Sequence, residues 1–165
     1  MASLSAGREG SKTRAVPSST AVITGASRGI GAAFARRLAA EGCDVTLVAR
    51  QAPELVELAE ELSQRFQVRA DVVVADLSTP GGVDVVVRRL ADSAPHWLIN
   101  NAGFGVPGAF DQVALDQSLT MIQLHVMAGV RLSHAASAGM IDRGRGRIVN
   151  VASIGAFLPR PGDAT

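Results

Sequence analysis

Tyrosine is absent from this sequence of 165 residues, which also has only one tryptophan and one cysteine. The lone cysteine, Cys43, excludes an internal disulfide, and no apolar run approaches the roughly 18 residues of a membrane-spanning helix. Neither basic nor acidic residues are in clear excess, because the net charge is +1. This near balance argues against a broad basic surface that would bind nucleic acid or an anionic membrane. We therefore expect a protein of the reducing cytoplasm that binds neither.

The sequence does contain enough apolar material for one globular α/β domain, at 47% hydrophobic residues. Residues 1–18 show no helix or strand periodicity and are rich in Ser, Gly, Arg and Ala, which predicts a mobile tail before a domain spanning 19–165. A targeting peptide is the alternative for this tail, because its basic residues outnumber Glu9. The tail lacks the apolar stretch of a secretory signal.

From Thr20 onwards, short β-branched runs alternate with helical stretches, a pattern typical of parallel strands joined by crossover helices. Strands are predicted at 20–24, 44–49, 70–75, 96–99 and 147–151. Helices are predicted at 29–41, 53–66, 81–93 and 116–143. This alternation indicates a Rossmann-like, doubly wound parallel sheet, a fold for which we expect the usual strand order 3-2-1-4-5.

The segment from Thr24 to Gly31, Thr-Gly-Ala-Ser-Arg-Gly-Ile-Gly, joins the first strand to the first helix. Glycines at such a junction let the backbone approach a pyrophosphate, while the free amides and positive dipole end of the helix face the anion. We expect Gly25 to begin the turn, Gly29 to permit the close approach and Gly31 to let the helix pack on the strand. A glycine-rich turn without a ligand is the alternative.

Arg50 follows the second strand, where an NAD-binding protein would place a carboxylate for the adenosine ribose. Arg28 lies within the glycine turn, so two guanidinium groups can converge on a 2′-phosphate, each contact contributing roughly 1.5–3 kcal/mol. NADP(H) is therefore predicted in preference to NAD(H). The alternative is that these arginines are merely solvated at the surface.

Polar and small residues follow the third and fourth strands. Asp76, with Leu77 after it, is predicted to accept a hydrogen bond from the adenine amino group. Alternatively it is a turn or helix-capping residue, a role for which Ser78 competes. After the fourth strand, the polar amides of Asn100 and Asn101 are followed by Ala102 and Gly103, which are small enough for a cofactor to lie against the backbone. The predicted cofactor-binding residues are Gly25, Ser27, Arg28, Gly29, Ile30, Gly31, Arg50, Asp76, Leu77, Asn100, Asn101, Ala102 and Gly103.

These motifs, together with the run from Gly146 to Ser153, occur in the order and at the spacing of the short-chain dehydrogenase/reductase (SDR) family, which the chain resembles from about Thr20 to its end. The resemblance implies reversible hydride transfer between a nicotinamide and a small-molecule alcohol or carbonyl compound, in a homo-oligomer. It also implies that Ser153 orients the carbonyl group. No metal is expected, because no metal-ligand spacing joins the histidines.

The same resemblance implies a catalytic Tyr-x-x-x-Lys motif, whose Tyr would fall on the first residue after Thr165. We therefore expect the N-terminal part of an SDR enzyme, with five of about seven strands, that is inactive alone. His125 stands where the family has an Asn. Either its imidazole holds a water of the proton relay, or it is a helix histidine whose ring is hydrogen-bonded to a neighbouring residue. A non-catalytic dinucleotide-binding or partner-binding protein is the alternative function.

Overall fold

The computed structural model describes residues 19–158, so the predicted tail lies outside the described residues. Its sheet has five parallel strands in the order β3-β2-β1-β4-β5, which confirms the prediction. The strands are β1 (Thr20–Thr24), β2 (Asp44–Ala49), β3 (Ala70–Val74), β4 (Trp97–Asn100) and β5 (Arg147–Asn150). The predicted bounds of the last three strands were wrong by one residue at one or both ends.

The order of the strands creates a switch point beside β1. The chain adds β2 and β3 on one side of β1, and β4 and β5 on the other. Ile23 of β1 lies in register with Leu47 of β2 and with Ile99 of β4. The connections from β1 and β4 therefore leave the sheet towards opposite sides and open a crevice at the carboxyl ends of the strands.

Helices cover both faces of the sheet. They are α1 (Gly29–Ala40), α2 (Ala52–Phe66), α3 (Pro80–Ser93), α4 (Leu115–Ile122) and α5 (Gly129–Asp142), with a π-helical segment, Gln123–Ala128, between the last two. Successive side chains of a strand point to opposite faces, so Ile23 packs in one hydrophobic layer with Leu55 of α2, whereas Val22 packs in the other with Leu132 of α5. Each such buried side chain contributes roughly 1.5–3 kcal/mol.

The last long helix differs from its prediction. The pattern over residues 116–143 predicted one continuous helix, whereas the structure interrupts it with the π-helical segment and ends it at Asp142. Leu132, Ala136 and Met140 are buried on one side of α5, and Val130 is exposed on another. No helix within residues 19–158 is long and apolar enough to cross a bilayer.

Candidate functional site

A cavity of about 510 Å³ lies in the crevice at the carboxyl ends of β1, β2, β3 and β4. Its volume is within the range of small-molecule sites, about 300–1,000 Å³. Ten predicted cofactor-binding residues line this cavity: Gly25, Ser27, Arg28, Ile30, Arg50, Asp76, Leu77, Asn101, Ala102 and Gly103. Gly29 and Gly31 belong to the same turn without lining the cavity, and Asn100 lines an adjoining cavity instead.

The glycines of the first turn meet different surroundings. A Cβ atom on Gly31 would lie 2.3 Å from the Gly25 carbonyl oxygen, so Gly31 packs against the turn itself rather than only against the strand as predicted. Gly25 has φ +63° and leaves no room beside the Asn101 side chain. Gly29 has φ +57° and open space where a side chain would stand, which leaves the backbone accessible.

The first turn of α1 has no side-chain cap. Arg28 occupies the N-cap position without forming a capping hydrogen bond, and the first turn contains no acidic residue. By contrast, Thr79 caps α3, because its Oγ1 accepts a hydrogen bond from Gly82 N at 3.1 Å. The uncapped amides and positive dipole end of α1 are thus available to an anion in the cavity.

Thr24 connects the turn after β1 to the end of β4. Its Oγ1 accepts hydrogen bonds from Asn101 N at 2.9 Å and from Ala102 N at 3.0 Å, and it donates to Ile99 O at 3.2 Å. The Asn101 side-chain amide in turn donates to the carbonyls of Thr24, at 3.0 Å, and Gly25, at 3.1 Å. The sequence analysis did not predict this role of Thr24. The available signal was a threonine directly before the first glycine of the turn.

Two arginines line the cavity beside the end of β2. Arg28 Nη2 donates a hydrogen bond to Gln51 Oε1 at 2.7 Å. Arg50 forms no hydrogen bond within residues 19–158, although its charge acts on Asp76 across the cavity lining. Both guanidinium groups therefore keep donors available at the place where the sequence lacks the expected carboxylate.

Asp76 is held in the turn before α3. Its Oδ1 accepts hydrogen bonds from Ser78 Oγ at 2.7 Å and from Ser78 N at 3.0 Å. The side-chain hydrogen bond from Ser78 is the main cause that holds the pKa of Asp76 below its ordinary value; partial burial opposes it, and the Ser78 amide and the charge of Arg50 add to it. The idea that Ser78 competes to cap α3 was wrong, because Thr79 forms that cap.

A second cavity, of about 460 Å³, lies between the ends of β4 and β5 and the long helix. Asn100 lines this cavity, and its side-chain amide donates to Asn150 Oδ1 at 2.9 Å and to Ser133 Oγ at 3.1 Å. Within residues 19–158 the buried Asn100 Oδ1 has no hydrogen-bond partner. Leu77 and Ala102 line both cavities, so Asn100 lies beside the cofactor cavity without lining it.

His125 belongs to the π-helical segment and lines the second cavity. Its Nε2 lies 2.9 Å from Phe104 O and 3.2 Å from Phe104 N. A Cβ atom on Gly103 would lie 2.8 Å from His125 Cε1. The imidazole thus contacts the loop after β4, and one ring nitrogen can satisfy only one of the two Phe104 backbone groups at a time.

Ser153 follows β5 at the start of a short 3₁₀ turn, Ile154–Ala156. It is exposed, its Oγ accepts a hydrogen bond from Gly155 N at 3.1 Å, and it lines neither cavity. Ser153 and His125 are not joined by a hydrogen bond. Within residues 19–158, no group of three His, Cys, Asp or Glu side chains is arranged to hold a metal ion.

Comparison with known proteins identifies a matching family and solved structures. The family model described as short chain dehydrogenase matches residues 19–165. Sulfoacetaldehyde reductase 2 of Chromohalobacter salexigens is 38% identical over 145 residues, which are 86% of this chain and 57% of that protein. The human inactive hydroxysteroid dehydrogenase-like protein 1 is 31% identical over 144 residues, which are 86% of this chain and 44% of that protein.

Two solved structures illustrate the likeness. A bulky-bulky ketone specific alcohol dehydrogenase from Comamonas testosteroni superposes with a TM-score of 0.86 at 37% identity, covering 90% of this chain and 60% of that one. L-sorbose reductase from Gluconobacter frateurii, complexed with NADPH and L-sorbose, superposes with a TM-score of 0.84 at 42% identity. The match covers 88% of this chain and 56% of that one. The chain spans about half the length of the curated relatives it matches.

Proposed function

Because the chain belongs to the short-chain dehydrogenase/reductase family, we propose that it supplies the NADP(H)-binding part of an oxidoreductase that interconverts a small-molecule alcohol and a carbonyl compound. The observation that carries this proposal is the 510 Å³ cavity lined by both Arg28 and Arg50. When bound, NADP(H) supplies or accepts the hydride. The residues of this chain bind and orient it.

The cavity fits a dinucleotide on several counts. The uncapped start of α1 offers amides to a pyrophosphate, and Gly29 leaves open space beside the backbone. Ile30 is 58% exposed next to this turn, so it offers an apolar surface to a planar ring. Asp76 Oδ2 forms no hydrogen bond within residues 19–158, and we assign it to the adenine amino group.

The charges of the cavity favour NADP(H) over NAD(H). Two guanidinium groups line it, and each can contribute roughly 1.5–3 kcal/mol through a charge-assisted contact with a 2′-phosphate. Among the described residues that line this cavity, Asp76 is the single acid, and Ser78 and Arg50 stabilise its charge. The NADPH complex of the L-sorbose reductase supports this choice for a similar fold.

For the reaction itself, we propose that Ser153 orients the carbonyl oxygen and that His125 supports proton transfer from the neighbouring cavity. A general acid contributes about 10²- to 10⁴-fold to such a reaction. The 165 residues contain no Tyr, and their one Lys, Lys12, lies in the segment 1–18. A protein made of these residues alone therefore lacks the phenol and the ammonium group that the family uses, and we expect negligible turnover from it.

A second candidate function is binding of a dinucleotide or a protein partner without catalysis. The human relative that carries the word inactive in its name favours it. The two candidates differ in turnover but share the cofactor cavity.

The deciding experiment measures oxidation of NADPH and NADH with a panel of carbonyl compounds, for the 165-residue chain and for the whole reading frame that contains it. We expect the 165-residue chain to be inert, and the product of a reading frame that continues into Tyr-x-x-x-Lys to oxidise NADPH at least tenfold faster than NADH. Turnover by the 165-residue chain would contradict the assigned need for Tyr, and an inert product with Tyr-x-x-x-Lys would favour the second candidate.

A further inference from the structure

Gln51 links the two turns that carry the arginines of the cofactor cavity. It directly follows Arg50 and occupies the N-cap position of α2, yet its side chain does not cap that helix. Its Oε1 instead accepts the 2.7 Å hydrogen bond from Arg28 Nη2. We propose that Gln51 is a positioning residue for cofactor specificity, which holds Arg28 for a 2′-phosphate; this inference rests on the proposed NADP(H) function.

The neutrality of Gln51 matters because other arginines of the chain pair with acids. Arg36 forms a 2.6 Å ion pair with Glu61, and Arg37 forms a 2.7 Å ion pair with Glu41. Such a pair cancels most of the positive potential that an anionic ligand would meet. A glutamine instead fixes the guanidinium through an acceptor oxygen and leaves its full charge in place.

Gln51 also leaves donors unused. A guanidinium has five N–H groups, and Gln51 accepts from one nitrogen of Arg28. Within residues 19–158 the Gln51 Nε2 group forms no hydrogen bond, although Gln51 lines the same cavity as the two arginines. An anion at this place meets two guanidinium groups and one amide donor, and a ligand without the 2′-phosphate gains nothing from them.

The experiment compares binding of 2′,5′-ADP and 5′-AMP to the full chain by calorimetric titration, because these probes differ only in the 2′-phosphate. Gln51→Glu keeps an acceptor for Arg28 but adds a negative charge, so we expect about tenfold weaker binding of 2′,5′-ADP. Gln51→Met removes the acceptor at similar length and should weaken that binding by about threefold. Affinity for 5′-AMP should change less than about twofold in both variants.

Gln64→Glu is the matched control, since it makes the same chemical change on the same helix, about 20 Å away at roughly 1.5 Å per residue. It should leave both affinities unchanged. Because Gln51 acts through Arg28, Gln51→Met should add little when Arg28 is already Ala, a coupling that a merely structural role would not produce.

The outcomes separate the two proposals. If the unmodified chain binds both probes equally, the NADP(H) preference fails and this inference fails with it. If the unmodified chain prefers 2′,5′-ADP while both Gln51 variants retain that preference, Gln51 has no positioning role and the NADP(H) proposal stands. A thermal unfolding midpoint for each variant excludes misfolding, and Gln51→Met decides the matter if Gln51→Glu does not fold.

Discussion

The first and last strands of the described sheet behave differently. Ala21 to Thr24 in β1 are at most 1% exposed, whereas every residue of β5 except Val149 is exposed. The turn after β1 is fixed by hydrogen bonds to Thr24 and Asn101. After β5, the Ser153 side chain forms its one hydrogen bond among residues 19–158 within its own turn, and Phe157 is 82% exposed.

This difference has a cause in the sheet. β1 has hydrogen-bonded neighbours on both sides and helices over both faces, whereas β5 has one neighbour, β4, among residues 19–158. The cofactor cavity is therefore built from elements that bury one another. The region around Ser153 is not closed by the described residues, so the two ends of the crevice should respond differently to substitution.

The largest effect is expected from Gly31→Ala. The new Cβ would lie 2.3 Å from the Gly25 carbonyl oxygen and 2.6 Å from Asn101 Nδ2, and neither group can move without opening the turn. We expect a loss of at least about 1–3 kcal/mol in the free energy of unfolding. Affinity for 2′,5′-ADP should fall more than tenfold. Urea denaturation and calorimetric titration measure the two effects.

Gly129→Ala serves as the control for this substitution, because Gly129 lies in a helix with nothing within 4 Å of the added Cβ. It should be neutral or stabilise the chain by about 0.4–1 kcal/mol. The tight packing of the turn after β1 would be refuted if Gly31→Ala and Gly129→Ala changed the free energy of unfolding alike.

An intermediate effect is expected at His125. His125→Ala removes the contacts with the Phe104 backbone, which should lower the free energy of unfolding by about 0.5–1.5 kcal/mol and speed hydrogen exchange of the Phe104 amide. His125→Asn supplies a donor and an acceptor at once, so it should protect that amide at least as well as the imidazole does. Unchanged exchange in His125→Ala would show that the imidazole does not hold this loop.

The smallest effect concerns Asp76 and acidity. Because the folded state lowers the pKa of Asp76, its ionised form contributes stability that is fully present above the unfolded pKa, near 3.8, and is lost as the pH falls through the lowered folded value. Asp76→Asn should therefore flatten the pH dependence of the free energy of unfolding below about pH 4.

Arg50→Ala should raise the pKa of the Asp76 carboxyl in an NMR titration. An unchanged pKa would place Arg50 too far from Asp76 to act on it.

Much of the fold was predictable because its signals are local. The alternation of apolar strands and helical stretches predicted the parallel sheet, and the usual order of a Rossmann-like fold predicted its strand order; both are confirmed. The glycine turn and the absence of an acid after β2 predicted that Arg28 and Arg50 belong to one site, and the two arginines line the same cavity. Their roles towards a cofactor remain predictions for the binding experiments.

Other features depend on residues far apart in the chain, which a local pattern does not pair. The π-helical segment occurs where His125 reaches the Phe104 backbone, and nothing in the periodicity of residues 116–143 indicates it. Asn100 turns towards Asn150 and Ser133 because β5 lies beside β4. The bond from Arg28 to Gln51 likewise joins two separate turns.

The motifs of the sequence by themselves indicated the family. Backbone preference and hydrophobic periodicity, which act over neighbouring residues, determined the alternation of strands and helices and the residue types available at each strand end. Only the tertiary structure decided which of those side chains share a cavity and which hydrogen bonds they form. Those contacts require the chain to cross β1 and bring the turns after β1, β2, β3 and β4 to one edge of the sheet.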